Sequence, residues 1–242
     1  MMGIMSTRRT LALFALIGAG ALALAGCASA GPAPASSGSG AGAPVAGGEL
    51  EVDAGWLDGG RMVALVTQGS STCIPTASDV TLQADGSVAV TLEDLPADGA
   101  CTRDYVPRAS LVALPDGVDA GAELDLVVTY GDARGDTDLD AYDGAAVEEF
   151  SPSAGWIDDG QFAILTWGSS SCAPVVASVT ADSATAATVA FVEPAADQVC
   201  TMDMAPRVTL AQVDGVDDDN ATVTLTGGGV EFATPVTIPI AG

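Results

Sequence analysis

Two short stretches set hydroxyls beside a thiol: Gly69-Ser-Ser-Thr-Cys-Ile-Pro75 and Gly168-Ser-Ser-Ser-Cys-Ala-Pro174. Serine and cysteine are nucleophiles, so the first chemistry to weigh is acyl transfer through a side chain activated by a neighbouring base. That base is missing. The 242 residues include no His, and all seven basic residues are Arg (8, 9, 61, 103, 108, 134 and 207). No Ser-His-Asp triad, His metal ligand or Lys Schiff base can be assembled from such a chain. A carboxylate is a weak base for a serine. Each thiol also has a mate 28 positions on, at Cys101 and Cys200. Both clusters therefore read as turns whose hydroxyls bond nearby backbone groups, closed by disulfides. No catalytic residue is assigned, and the chain is expected not to be an enzyme.

The second cysteines open another shared pattern, Cys101-Thr-Arg-Asp-Tyr-Val-Pro-Arg108 and Cys200-Thr-Met-Asp-Met-Ala-Pro-Arg207. Asp104 with Arg108, and Asp203 with Arg207, would form ion pairs that pin the turn before the next strand. The functional alternative is an arginine offered to an external carboxylate or phosphate. Asp136-Thr-Asp138-Leu-Asp140 begins like an EF-hand loop. Its sixth position is Ala141 rather than Gly and its twelfth is Val147 rather than Glu, so it fails where that motif is diagnostic. A looser Ca²⁺ site at Asp136, Asp138 and Asp140, or in residues 214–220, is the only cofactor expectation.

The elements that position these residues come twice. Ala54-Gly-Trp56-Leu-Asp-Gly-Gly60 matches Ala154-Gly-Trp156-Ile-Asp-Asp-Gly160, and the two cysteine patterns recur 99 positions apart. The offset is 100 at the tryptophans, so one residue is gained or lost near Arg61. Trp56 and Trp156 read as core or end-cap aromatics. Residues 62–67 and 162–166 are short apolar runs bounded by Gly. Residues 79–84 and 87–93 alternate around Asp85-Gly86, a hairpin signal, and 123–130, 187–193 and 221–226 alternate as well. No run of helical period exceeds about two turns. The expectation is all-β, with two tandem immunoglobulin-like β-sandwich domains at 49–145 and 146–242. Among the three pairings open to four cysteines, independently folding repeats would select Cys73–Cys101 and Cys172–Cys200. Each closes a 28-residue loop, worth about 3–4 kcal/mol in the chain-entropy model.

The amino-terminus reads as an address. Arg8 and Arg9 precede an apolar stretch that ends in Leu24-Ala-Gly-Cys27. The pattern is that of an export signal over 1–26. Its ending resembles the bacterial lipobox, in which the cysteine thiol takes a diacylglyceryl group and becomes the new amino-terminus. The resemblance implies lipidation at Cys27 and anchoring to the outer face of the cell membrane, two acyl chains being enough for stable attachment. It also implies an oxidising compartment, where disulfides persist. Residues 27–48 then form a tether of Ala, Gly, Ser and Pro with one Val after the cysteine, spanning roughly 25 Å as a random coil. With 32 acids against seven bases the net charge is −25, which excludes a nucleic-acid partner and repels an anionic surface.

Lipobox, tether and the doubled cysteine pattern together resemble lipoproteins of high-GC Gram-positive bacteria (Actinobacteria), over the whole chain. The resemblance implies a location and no reaction. The expected role is a non-catalytic envelope module that binds a protein or glycan. The alternatives are a Ca²⁺-stabilised surface spacer and a carboxylate-based hydrolase of envelope glycans.

Overall fold

The computed structural model describes residues 47–95, 100–216 and 220–242. Cys27, the export signal and the tether up to residue 46 lie outside them. The described chain is all-β. The first repeat contributes β1 (Asp53–Leu57), β2 (Met62–Gly69), β3 (Thr76–Leu82), β4 (Val88–Glu93), β5 (Val106–Ala113), β6 (Leu124–Tyr130) and β7 (Ala133–Leu139). The second contributes β8 (Ser153–Asp158), β9 (Gln161–Gly168), β10 (Val176–Ser183), β11 (Ala186–Phe191), β12 (Ala205–Gln212), β13 (Thr222–Gly227) and β14 (Phe232–Ala241). Among the described residues no helix is long and apolar enough to cross a membrane.

Within the first repeat, β1-β2-β5 form one sheet and β3-β4-β6-β7 another. One core joins them, with Trp56, Val63, Leu65 and Val112 from the first sheet and Val90, Leu92, Leu126 and Val128 from the second. The order corrects the immunoglobulin-like expectation. There the third strand lies antiparallel beside the sixth; here β4 takes that place and runs parallel to β6. Burial explains the exchange. β4 alternates cleanly, burying Val88, Val90 and Leu92, and fills the inner position. β3, polar along most of its length, is folded out to the edge by the hairpin at Asp85-Gly86, where Gly86 has φ 96°. The second repeat follows the same order, but the end of β14 pairs with β8 at Ala154 and Gly155, which fuses its two sheets into one of seven strands.

The two repeats are not separate beads. Leu57, Ala64, Ala163 and Leu165 form a third buried cluster, flanked by Ile157, Leu111, Trp167 and Val208. The sheet β1-β2-β5 thus lies back to back with β8-β9-β12. This accounts for the unbroken apolar runs in β2 and β9. Strands buried on both faces lose the alternation of half-buried ones. Val63 and Leu65 face their own repeat's core, and Ala64 faces the other repeat. The extra residue of the first repeat sits in the 3₁₀ turn Asp58–Gly60. There Arg61 holds Asp58 through two hydrogen bonds of 2.9 and 2.7 Å and also donates to the carbonyl of Val147 in the connecting segment at 3.2 Å.

Candidate functional site

Each cysteine pattern folds into a knot at the same end of its repeat. The loop after β2 carries Cys73, the approach to β5 carries Cys101, and a disulfide joins them with 5.5 Å between Cα atoms. Cys172 and Cys200 are joined in the same way at 5.6 Å. The hydroxyls serve this knot. Ser70 and Thr102 share a hydrogen bond of 2.8 Å, the Thr102 N–H donates to Thr72 Oγ1 at 3.1 Å, and the Ser71 N–H donates to Asp104 Oδ1 at 3.2 Å. The second repeat keeps each contact: Ser169 with Thr201 at 2.8 Å, the Thr201 N–H to Ser171 Oγ at 3.0 Å, and the Ser170 N–H to Asp203 at 3.0 Å. Donors from Ser71 and Thr102 pull the Asp104 carboxyl down to about 2, and those from Ser170 and Thr201 hold Asp203 lower still. A carboxylate stabilised in this way is a poor proton acceptor, so it cannot serve as an effective base for the serines beside it.

The expected ion pairs are not formed. Asp104 is occupied by the serine loop, while Arg108 turns away along Gly69 and is only 5% exposed. Its guanidinium donates to the carbonyl of Cys73, to Thr67 Oγ1 at 3.4 Å and to the Tyr130 hydroxyl at 3.4 Å. Tyr130 in turn donates to Asp94 at 2.5 Å. Arg207 donates to the carbonyl of Cys172 at 3.2 Å and pairs with Glu231 rather than Asp203. Both arginines are consumed inside the fold, bonding the disulfide loop to the sheet beneath. Gly69 makes room for this course: a Cβ there would lie 2.5 Å from Arg108 Cζ. The arginines are therefore not presented to an external anion.

Trp56 is buried, donates from Nε1 to the carbonyl of Asp140 at 2.8 Å and meets the Tyr142 ring edge-on at 6.0 Å. Trp156 packs edge-on against Phe162 at 5.4 Å, and its indole N–H is buried without an acceptor. An open groove of about 640 Å³ runs between the repeats beside both indoles, with Asp138, Asp140, Asp158, Asp159 and Asp214 along it. Asp136 lies instead in a second, smaller depression with Glu49, Glu51 and Asp53. The expected trio is thus divided. Residues 133–139 form strand β7 rather than a loop, and a straight strand does not curl its carboxylates around one ion. Among the described residues no group of three or more His, Cys, Asp or Glu is arranged to hold a metal. Residues 217–219 of the other acidic stretch lie outside the described residues, as does Cys27.

The residues between the shared ones carry no motif of their own. Met202 and Met204 occupy two of the three unmatched positions of the second cysteine pattern, where Arg103 and Tyr105 stand in the first. All four are exposed. A signal was present: a motif whose framework repeats while its intervening positions differ. No protein-family model matches the chain, and no curated protein or solved structure matches it.

Proposed function

We propose that the chain is a lipid-anchored surface protein that acts as a non-catalytic binding module, held off the membrane through Cys27 by the tether. The observation that carries the reading is the way the reactive-looking residues are spent. Serines, cysteines, aspartates and arginines of the repeated patterns bond one another and the backbone, which leaves a rigid end and no free base beside a nucleophile. Two disulfides support an oxidising compartment. The layer-on-layer build favours a stack of repeats, each burying a face on the next, over separate immunoglobulin-like domains on a string. The mode of attachment rests on the Leu24-Ala-Gly-Cys27 resemblance.

Cross-linking on intact cells that export the chain, with neighbours identified by mass spectrometry, tests the reading. One reproducible partner is expected, lost when the folded surface is altered and retained when Cys27 is replaced by another tether. Absence of any enriched neighbour, or turnover of cell-wall fragments that disappears with single Asp or Glu substitutions, would overturn it.

A further inference from the structure

The exposed apolar side chains include one gathered set. In the second repeat, Val175, Val192, Val199, Met202, Met204 and Val230 are all exposed, Val199 at 92% and Val230 at 97%. All six belong to the loops at the disulfide end: residues 169–175 after β9, 192–204 before β12 and 228–231 between β13 and β14. These loops are joined to one another. The Val192 N–H donates to the Val175 carbonyl at 2.8 Å, the Cys172–Cys200 disulfide ties the first loop to the second, and the Gly228 N–H donates to the Phe191 carbonyl at 3.3 Å. A Cβ on Gly229 would lie 3.0 Å from Pro194 Cγ, so the third loop abuts the second. Single exposed apolar residues are ordinary on a protein surface, but a collected set on fixed loops marks an interaction site.

We propose that this end of the second repeat is a docking face for a polypeptide that presents apolar side chains flanked by Lys or Arg. The inference deepens the binding-module reading and rests on it. Charge selects the occupant. The three loops carry Glu193, Asp197, Asp203 and Glu231 and no basic residue. The cation behind them, Arg207, is buried and paired with Glu231. Acidic residues interspersed with the apolar ones suit a partner that carries Lys or Arg beside its apolar residues. It disfavours anionic lipid, and it disfavours a second copy of a chain whose own net charge is −25. Methionine suits the task because its unbranched thioether adapts to irregular surfaces. The division of labour within the motif agrees: Cys200, Thr201, Asp203 and Arg207 hold the loop, while Met202 and Met204 between them point outward.

The test is site-specific photo-cross-linking of the full chain in the cells that export it. Benzoylphenylalanine replaces Met202, Met204 or Val230 in turn and, as a control, the exposed Asp79 of β3. All four sites are exposed, so the substituted chains keep the fold, which unchanged melting temperatures check. The expected result is a polypeptide adduct at least tenfold more abundant from the three loop positions than from position 79. Peptide mapping should place its cross-link in an apolar stretch bordered by Lys or Arg, and raised salt on isolated membranes should reduce the yield several-fold. Lipid adducts, adducts between two copies of the chain, or equal yield from position 79 overturn the inference. A polypeptide captured from other surfaces but not from these loops overturns it and leaves the binding-module reading standing. No polypeptide adduct from any position overturns both.

Discussion

Gly55 and Gly155 hold the same place in the two repeats, and each backs onto the other repeat's tryptophan. A Cβ on Gly55 would fall on the carbonyl oxygen of Trp156, and one on Gly155 on the carbonyl oxygen of Trp56. The contact is reciprocal, as at the axis of a two-fold dimer, but here both halves belong to one chain. It allows β1 and β8 to cross at backbone distance.

Substitution at either glycine should therefore loosen the packing of both repeats. We expect Gly55→Ala and Gly155→Ala each to cost about 1–3 kcal/mol through forced separation of the strands. Urea unfolding followed by tryptophan fluorescence checks this. Equal stability in Gly55→Ala and the wild type would show that the strands give way without cost.

The same pseudo-symmetry exposes one mismatch. The Asp58 N–H donates to Ser153 Oγ at 2.8 Å. In the mirrored location Asp158 faces Asp53, whose carboxyl is pushed up from its ordinary value by burial, then by Asp158 and Glu51. Ionised Asp53 therefore costs stability above its folded pKa, and that cost fades as the pH falls through it. Asp53→Ser should raise stability at neutral pH by a few tenths to about 1 kcal/mol, allowing for solvent screening. The gain should shrink toward pH 4, within the ordinary carboxylate range. Paired thermal melts at the two pH values decide it, and a loss of stability at neutral pH would contradict the assigned symmetry.

Acid should act on the knots in the opposite sense. Asp104 is held at about 2, below its ordinary value of 3.8, and Asp203 is shifted the same way, both by hydrogen bonds from the serine loops. A depressed folded pKa gives stability that is complete above the unfolded value and is lost as the pH falls through the folded one. The melting temperature should fall between pH 4 and pH 2, within the window set by those two values. Asp104→Asn with Asp203→Asn should flatten that fall. An unchanged acid slope in the double variant would remove these carboxylates from the account.

Much of this architecture was legible in the sequence, and the failures have physical causes. Strands β2, β4 and β6 were readable because apolar runs or clean alternation mark them. β7 was hidden: Ala133-Arg-Gly-Asp-Thr-Asp-Leu139 buries only Ala133, Gly135 and Leu139, and small or absent side chains on the inner face leave the acids to dominate the pattern. β1 and β8 carry no strand signal beyond a tryptophan, since Gly55 and Gly155 break their patterns for the sake of the crossing. The unbroken runs of β2 and β9 signalled burial on two faces, which implies a packed partner layer rather than tandem independence. At the knots, cysteine spacing marks the disulfides, but the four-residue spacing of Asp104 and Arg108 does not predict their partners. Four residues apart suits a helix, whereas these lie on a turn entering a strand, and the nearer donors and acceptors belong to other loops.

The arginines give a further comparison. Arg108 reaches three acceptors at once, the Cys73 carbonyl, Thr67 and Tyr130, and the flat guanidinium lies across Gly69. A lysine ammonium on its stem can reach one of these but not span them. Arg108→Lys should leave buried acceptors unsatisfied at a cost of about 1–3 kcal/mol. Arg103→Lys, exposed in the approach to β5, should stay within about 0.5 kcal/mol of the wild type. Equal effects at the two positions would mean that the charge alone matters.

Calcium offers the last comparison. Asp138 and Asp140 share the groove between the repeats with Asp158, Asp159 and Asp214, while Asp136 lies apart. A ligand that binds the folded chain alone raises its melting temperature by an amount that grows with the logarithm of its concentration over its dissociation constant. Spread over β7 and the residue after it, the turn between β8 and β9, and the bend after β12, these carboxylates do not form the wrapped cage of six to eight oxygens that Ca²⁺ takes. They should instead gather diffuse counter-ions, which any salt supplies. Melting in excess CaCl₂ and in EDTA, at matched ionic strength, should therefore agree within about 1 °C. A shift of several degrees with CaCl₂, abolished by Asp138→Asn with Asp140→Asn, would restore the cation-stabilised spacer and assign the groove to the metal.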